Sequence, residues 1–497
     1  MITGNIASDG ISVTLTTGSL PSWITAGAQV SGYKNGSTVF TRVGYGTNFP
    51  YQGFLPANRI PSIASITDST HFTLTTDPNT SQPFTNGSAL TGVRFYIGQL
   101  WVDAMNKGVW QNCDSTPPTN STLSLGDGFF GADGGASISQ PPAALAALPP
   151  GTVGQTLWVY ADTWWTLNAG QQRGAGASFI HNSLSIQYWT GSSPDASIDT
   201  QSFSRGGGAS FAGSVVPETP PANYIWLLGG LWRDDNTLIL VGGRVSTKPG
   251  FGIGITTTGD GALFVSNPRD FPDQWNITEI PYWGGEQISM AMSSNFVKDG
   301  SYYYAMSNNW GNAGGVAIVR YPASDIEATP PSMMNPEWWC GQEFGWVGTW
   351  AYDPAFPIPA QQYPILASDG YLLLPDSQGE LVQDSNGDWL LIQGGQYQTP
   401  AGIRARNLGS SLATLTNVTS NGNSTFGDLL FYPPSDVSVS SGNAIWIYSC
   451  KAHPEQTWSG KTAGDMAISY ANNNFGGSGP SPDNANYWVQ LLRIAGL

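Results

Sequence analysis

Two aspartates, Asp133 and Asp162, have the residue type and the surroundings that carboxylate catalysis requires. Asp133 lies among small residues in the segment Gly131–Ser137, which would leave its carboxylate accessible. Asp162 follows the apolar run Leu157–Tyr160 and precedes the Trp164–Trp165 pair, and apolar surroundings disfavour a charged carboxylate. One accessible and one desolvated carboxylate is a combination that glycoside hydrolysis uses. We expect Asp162 to be the general acid, and Asp133 to be the nucleophile or the base that activates water. Because Asp before Gly is also a common turn residue, spacing alone supports this pair weakly.

Five strongly apolar segments predict the strands that position these carboxylates. They recur at intervals of about 55 to 90 residues, and each is followed, after a polar or Gly-rich turn, by a second strand. Hairpin units at such intervals fit the radial blades of a β-propeller, and a two-sheet sandwich is the main alternative. The five segments are Leu157–Tyr160, Leu238–Val241, Tyr302–Ala305, Trp389–Ile392 and Ile445–Tyr448, and their partners begin near Phe179, Gly252, Val316, Ile403 and Met466.

The chain divides into two parts of unlike pattern. We predict an all-β fold in which a five-bladed propeller over residues 127–497 follows a small β-sandwich or barrel over residues 1–112, with a Pro/Ser/Thr/Asn-rich linker at 113–126. Alternating apolar and polar residues at Ile11–Thr17 and Phe72–Thr75 indicate half-buried strands in the smaller part. The last apolar segment, Tyr487–Ile494, is expected to close the ring by pairing with an early blade.

Composition narrows the possible partners. With 18 Lys and Arg against 34 Asp and Glu, the formal net charge of -16 makes nucleic acids and anionic membranes poor partners. The 20 Trp and 20 Tyr are compatible with a glycan, whose apolar C–H faces stack on aromatic rings. Three cysteines form no disulfide framework, and neither they nor the three histidines have metal-ligand spacing, so neither a metal nor a cofactor is expected.

Targeting signals are also missing from the sequence. The segment Met1–Asn5 begins no classical signal peptide, and no apolar run has the length of a membrane span. A composition typical of extracellular proteins without such a signal leads us to expect either a trimmed secreted chain or a virion protein released by lysis.

The pattern Gly-x-Asp-x-Gly at Gly131–Gly135, followed by a spacer and an apolar strand that ends in Asp162-Thr163, resembles the endo-D-arabinanase family of mycobacteria, related actinobacteria and their phages. The resemblance extends over residues 127–494. It implies a five-bladed propeller that cleaves the α-linked D-arabinofuranose chains of arabinogalactan and lipoarabinomannan. It also implies that Asp133 is the first essential aspartate and Asp162 the second. The chain departs from the family pattern at Gly134-Gly135, at Ala161 and in a Pro/Ala-rich spacer.

Further polar and aromatic residues are candidates for contacts with sugar hydroxyls. Lys451 and His453 follow the fifth apolar segment, at a position that we take as comparable to that of Asp162 after the first. His181 lies in the partner strand of the first hairpin, with hydrogen bonding to sugar or an ordinary structural role as alternatives. The predicted substrate-binding set is Trp164, Asn182, Glu286, Gln287, Asn308, Trp310, Lys451 and His453.

The resemblance gives three functional hypotheses. The first is an endo-acting glycoside hydrolase on cell-wall arabinan, located in a virion tail or outside the cell, with the N-terminal part as an attachment or tail module that contacts other tail proteins. The second is a receptor-binding phage tail protein that binds the glycan without cleaving it. The third is a structural tail component, which the pairing of Asp133 with Asp162 disfavours.

Overall fold

The structure is a computed structural model that describes most of the strands and the turns next to them. For some strand residues, Trp164, Asn308 and Asn309 among them, it describes the backbone only. The described ranges are 1–40, 60–78, 80–101, 128–146, 153–166, 178–189, 191–195, 200–204, 214–216, 224–247, 255–270, 272–282, 290–309, 315–339, 344–348, 379–395, 402–415, 427–432, 445–474 and 488–497.

The N-terminal strands form a small barrel. Strands β1, β2, β6 and β5 pair in that order, and β7 pairs with both β1 and β3. A bridge between Gln29 and Ser62 joins the remaining edges, so the sheet closes on itself. The strands are β1 (Ile2–Ile6), β2 (Ser12–Thr17), β3 (Gln29–Lys34), β4 (Ser37–Thr38), β5 (Ile63–Asp68), β6 (His71–Leu74) and β7 (Leu90–Leu100).

Four antiparallel sheets follow along the chain. The first contains β8 (Gly128–Ser139), β9 (Gln155–Thr166), β10 (Ser178–Ile180), β11 (Ser183–Tyr188) and β12 (Thr200–Ser204). The second contains β13 (Tyr224–Trp232), β14 (Leu238–Thr247), β15 (Ile255–Val265) and β16 (Ile277–Glu279). The third contains β17 (Met290–Met292), β18 (Val297–Asp299), β19 (Tyr302–Asn309), β20 (Gly315–Pro322), β21 (Glu337–Trp339) and β22 (Trp346–Val347). The fourth contains β23 (Gly379–Gln383), β24 (Trp389–Gly395), β25 (Gly402–Gly409) and β26 (Asp428–Phe431).

The last strands connect the propeller to the barrel. Strands β27 (Ile445–His453), β28 (Met466–Asn474) and β29 (Trp488–Ala495) pair in sequence order, and β29 also pairs with β7. Two short helices, α1 (Pro142–Ala146) and α2 (Ala323–Ile326), and a 3-10 turn at Pro272–Gln274 complete the described elements. Within the described residues, no helix is long and apolar enough to cross a membrane.

Apolar side chains fill the spaces between successive sheets. Separate clusters lie between the first and second, the second and third, and the third and fourth sheets. The largest cluster joins the fourth sheet, β27–β29, the barrel and Trp158 and Tyr160 of the first sheet. This radial packing of meandering sheets confirms the prediction of an all-β fold with a β-propeller.

The innermost strands run in a common direction. Strands β8, β13, β17, β23 and β27 run in the direction from one end of the central channel, called here the mouth, toward the other, called here the far end. The tertiary contacts support this direction: Tyr448 near the start of β27 contacts Asp133, whereas His453 at its end contacts Ser137 further along β8.

Most of the predicted strands are present, but their places in the sheets differ. The first four apolar segments lie in β9, β14, β19 and β24, which are second strands, whereas the fifth lies in β27, an innermost strand. The expected pairing of the last segment with an early blade is wrong for the residues that the structure describes: β29 pairs with β28 and with β7 of the barrel. The predicted linker at 113–126 and Gly252 lie outside the described residues.

Candidate active site at the mouth of the propeller

Asp133 and Asp162 lie on neighbouring strands of the first sheet. Cross-strand pairs join Ala132 to Thr163 and Gly134 to Tyr160, so Asp133 on β8 lies opposite the segment that holds Asp162 on β9. The register shifts at this point, which is the mark of a β-bulge, and bulges redirect side chains near functional sites. The fold therefore brings the two sequence-predicted aspartates to neighbouring positions on adjacent strands of one sheet.

The two glycines after Asp133 form this bulge. Gly134 and Gly135 have φ angles of 87° and 83°, a region that L-residues with a side chain rarely adopt. A Cβ at Gly134 would lie 3.1 Å from the backbone nitrogen of Ala161, and one at Gly135 would lie 2.7 Å from the side chain of Val489. The Gly134-Gly135 departure from the family pattern thus has a local structural reason.

Asp162 is held from two sides. Its Oδ1 accepts hydrogen bonds from the indole Nε1 of Trp226 at 2.7 Å and from Nδ1 of His181 at 2.9 Å. The His181 ring stacks on Tyr224 with ring centroids 3.8 Å apart and planes 11° apart. Tyr224 and Trp226 both begin β13, so the second sheet orients a carboxylate of the first.

Asp133 is held by a residue of β27, which lies on the other side of the first sheet from β13. The phenolic hydroxyl of Tyr448, on β27, donates a hydrogen bond of 3.2 Å to Asp133 Oδ2. The next residue, Ser449, has a φ of 55° and donates from Oγ to the carbonyl of Gly134 at 3.2 Å. Each aspartate therefore contacts an aromatic residue of a different neighbouring sheet, and both remain partly exposed at the mouth.

The surroundings of Asp162 differ from those expected. The prediction of an apolar environment depended on the preceding apolar run and on Trp164 and Trp165, and the structure does not describe the side chains of these two tryptophans. The observed N–H donors from Trp226 and His181 stabilise negative charge on this carboxylate. Tyr224, Trp226 and Tyr448 were not selected from the sequence, because aromatic residues at strand starts resemble ordinary core residues until the neighbouring sheets are placed.

Asn182 has a structural role in place of the predicted contact with sugar. Its side chain is fully buried between β10 and β11. The amide donates to the carbonyl of Ile225 at 3.1 Å and accepts from the backbone N–H of Val216 at 2.8 Å. These contacts fix the kink that separates β10 from β11, and they leave the amide inaccessible to a polysaccharide.

Lys451 and His453 do not reach the mouth either, because both side chains are completely buried. The predicted equivalence with Asp162 is wrong because β27 is an innermost strand, whereas β9 is a second strand that runs the opposite way. Residues at the end of β27 consequently lie deep in the channel. His453 bonds Ser469 through Nε2 at 2.8 Å and Ser137 through Nδ1, and burial lowers its pKa to about 3.

The other predicted contact residues are placed only in part. The backbone of Asn308, at the end of the second strand β19, pairs with Ala291 at the mouth end of the third sheet. Trp164 pairs with Gly131 and Phe179 in the first sheet. Glu286, Gln287 and Trp310 lie outside the described residues.

Below the mouth, two buried titratable side chains, Lys451 and Glu380, lie in the channel. Lys451 donates from Nζ to the carbonyl of Ser293 and, at 3.4 Å, to that of Gly379, so it joins three sheets. Glu380 accepts the backbone N–H of Asn295 at 2.9 Å. Burial raises the pKa of Glu380 to about 8 against the opposing effect of Lys451, and burial lowers the pKa of Lys451 to about 8.

At the far end lies a cavity of about 280 Å³, which β8, β13, β23, the end of β27 and the turn between β17 and β18 line. Glu455 accepts a hydrogen bond from Ser137 there, and burial raises its pKa. In the part of the chain that the structure describes, no three His, Cys, Asp or Glu side chains are grouped so that they could hold a metal ion.

Glu380 should make stability depend on pH. In the folded chain its carboxyl stays protonated up to pH about 8, whereas an exposed glutamate ionises near pH 4.5. Between these two pH values the folded state therefore binds more protons than the unfolded state, and the free energy of unfolding falls as pH rises. His453, with a pKa lowered from 6.5 to about 3, has the opposite effect below pH 6.5. Between pH 6.5 and 8 the free energy of unfolding should therefore fall by up to about 1.4 kcal/mol per pH unit.

Urea unfolding at a series of pH values measures this slope. Glu380→Gln should remove it, whereas Glu279→Gln, which alters an exposed carboxylate paired with Arg244, should leave it unchanged. A slope in Glu380→Gln equal to that of the wild type would show that another group titrates in this range.

Comparison with known proteins gives only distant similarity. No family model matches the chain, and no curated protein shows significant sequence similarity to it. Among solved structures, a Bacteroides ovatus protein named only as a hydrolase has 13% identity and a TM-score of 0.45, and the match covers 76% of this chain and 92% of that one. A levansucrase of B. megaterium has 13% identity and a TM-score of 0.36, with coverage of 78% and 86%. An α-L-arabinofuranosidase of Podospora anserina in complex with cellotriose has 12% identity and a TM-score of 0.32, with coverage of 76% and 98%. At this distance, function has to be argued from the site itself.

Proposed function

We propose that the protein is an endo-acting glycoside hydrolase that cleaves α-linked D-arabinofuranose chains of mycobacterial-type cell-wall arabinan. The observation that carries this proposal is the placement of Asp133 and Asp162 on neighbouring strands at the mouth, each bonded to an aromatic residue of a neighbouring sheet. Two carboxylates across one accessible site are what most glycoside hydrolases use. The motif around both aspartates, which resembles the endo-D-arabinanase family, supplies the substrate class.

We also propose that the propeller has five blades. We take β27–β29, with β7 as the outermost strand, as a fifth blade between the fourth sheet and the first. Its innermost strand then contributes Tyr448 to the mouth on the side of Asp133, as the second sheet contributes Trp226 on the side of Asp162. Five blades place both carboxylates beside the channel axis, where a polysaccharide can lie across the mouth.

In the proposed reaction Asp133 is either the nucleophile or the base that activates water. Asp162 is the general acid in this proposal. Carboxyl groups roughly 5 Å apart would give retention of configuration, and groups roughly 6.5–9.5 Å apart would give inversion. Exposed rims of Tyr224 and Tyr448 offer surfaces for the apolar faces of furanose rings.

We extend the proposal to the location of the enzyme and to its partners. A net charge of -16 is suited to a neutral wall polysaccharide and unsuited to nucleic acid or an anionic membrane. The barrel, joined to the last blade through β7 and β29, would serve as the attachment module of a virion tail or an extracellular enzyme. Arabinogalactan, lipoarabinomannan and other tail proteins are the partners that follow from this setting.

A turnover assay tests the proposal. Incubation with mycobacterial arabinogalactan should release short arabinose oligomers, which size-resolved carbohydrate analysis detects. An endo mode predicts that polymer length falls before monosaccharide appears. Binding to arabinogalactan with unchanged chain length would favour the receptor-binding alternative, and no release from any furanoside polymer would refute the enzyme.

A further inference from the structure

Two irregular strand segments meet beside Asp133. On β8 the pairing with β9 shifts on both sides of Gly134. On β27 the pairing with β28 shifts between Tyr448 and Lys451, and Ser449 in this second bulge has a φ of 55°. A left-handed conformation is uncommon for serine, and it persists only where the surrounding structure holds it. The bulge on β27 therefore depends on its contacts with β8.

Three hydrogen bonds cross from β27 and β28 to consecutive residues of the β8 bulge. The hydroxyl of Tyr448 donates to Asp133 Oδ2 at 3.2 Å. Ser449 Oγ donates to the carbonyl of Gly134 at 3.2 Å, and Ser469 Oγ donates to the next carbonyl along β8 at 3.1 Å. The two serines thus fix the backbone of the bulge, whereas the tyrosine fixes the carboxylate itself.

Given the glycosidase activity proposed above, on which this assignment rests, we infer that Tyr448 is the positioning residue of Asp133, whose hydroxyl keeps the carboxylate at the mouth in place and ionised. A nucleophile and a base that activates water both need the ionised form. A phenolic hydroxyl donates to a carboxylate, and a hydrogen bond to the charged form of an acid favours that form. The strained bulge at Ser449 is the device that brings this hydroxyl to the site.

Other titratable groups lie around this carboxylate. Asp162 on β9 lies opposite Asp133 in the register and bonds to His181, which stacks on Tyr224 of β13. Lys451 follows along β27, and its ammonium bonds to backbone carbonyls of the third and fourth sheets. The contacts of β28 and β29 with the bulge come from serine and valine, which carry no charge. All of these groups remain when only the phenolic hydroxyl is removed, so a change in pH dependence then reports that hydroxyl.

Tyr448→Phe removes the hydroxyl and keeps the ring, so contacts of the ring with sugar and KM should change little. Without the hydrogen bond Asp133 should ionise at higher pH, and the acidic limb of the pH–rate profile should move up by about one pH unit. The loss of kcat should therefore be about tenfold below the limb and should shrink as pH rises above it. A merely structural role would lower kcat by the same factor at every pH, and an acidic limb that does not move would overturn the inference.

A second tyrosine–carboxylate pair provides the matched control. Tyr303 on the third sheet donates to Glu327 Oε1 at 3.1 Å, and both residues lie outside the site. Tyr303→Phe should leave the pH–rate profile where the wild type has it. An equal displacement of the acidic limb in both variants would overturn the assignment, because the effect would then not come from the contact with Asp133.

A further measurement does not need activity. In protein labelled with ¹³C at the aspartate carboxyls, the signal of Asp133 is the one that is missing from Asp133→Asn. Its titration midpoint should rise by about one pH unit in Tyr448→Phe and stay unchanged in Tyr303→Phe. A midpoint that does not respond to Tyr448→Phe would refute the role of Tyr448 even if arabinan is cleaved. The expected response without any turnover would refute the proposed function and leave the effect of Tyr448 on Asp133 intact.

Discussion

Replacing either Asp133 or Asp162 by asparagine should lower arabinan cleavage by at least about 10²-fold, because each change removes a group that acts on the reacting atoms or orients one that does. For Asp133→Asn the loss is that of the nucleophile or base. For Asp162→Asn the loss is that of the general acid, because an amide cannot donate a proton to the leaving oxygen. Initial rates on arabinogalactan with size-resolved products measure both effects.

The fold should be unaffected in both variants. Asparagine keeps an oxygen that can accept from Tyr448 or Trp226, so the thermal midpoint should remain close to that of the wild type. Asp270→Asn provides the control, because Asp270 is an exposed residue after β15, near the far end of the second sheet. Near-normal turnover in Asp133→Asn or Asp162→Asn would remove that residue from the mechanism.

Lys451→Met should lower the free energy of unfolding by about 1–3 kcal/mol, the cost of leaving buried acceptors without their donor. Methionine has a similar length but cannot donate, so the carbonyls of Ser293 and Gly379 lose a buried ammonium partner. Glu380, which is 2% exposed, also loses the positive charge that opposes the rise of its pKa on burial. Because Lys451 joins the third sheet, the fourth sheet and β27, the loss should affect the whole ring, and urea unfolding measures it.

A surface lysine provides the control. Lys298 pairs with Glu327 where both side chains are about half exposed, and Lys298→Met should cost less than about 1 kcal/mol. The double variant Lys451→Met/Glu380→Gln should differ in stability from the sum of the two single changes, because the charge of Lys451 acts on the pKa of Glu380. Additive losses would show that the two groups do not interact across the channel.

The local sequence contains most of what defines Asp133 and its bulge. A small-residue run with two glycines allows positive φ at Gly134 and Gly135, and this conformation is a property of the residues themselves. The apolar strand before Asp162 is equally local. Both aspartates and the strands that hold them could therefore be predicted, and the structure places them on neighbouring strands.

Partners on other sheets could not be predicted in this way. Tyr448, Trp226 and Tyr224 become site residues only through the packing of sheets that are far apart in sequence. Asn182 has the composition of a sugar-binding residue, but burial commits its amide to backbone groups.

By itself the sequence determined the all-β class, the five apolar segments and the two aspartates, because strand periodicity and glycine conformation depend on near neighbours. Whether a strand lies innermost or second in its sheet depends on pairing between distant segments, and only the tertiary structure decided it. The apolar pattern of β27 resembles that of β9, yet their places in the sheets and their directions differ. That difference places Lys451 and His453 in the buried channel and Asp162 beside His181 at the mouth.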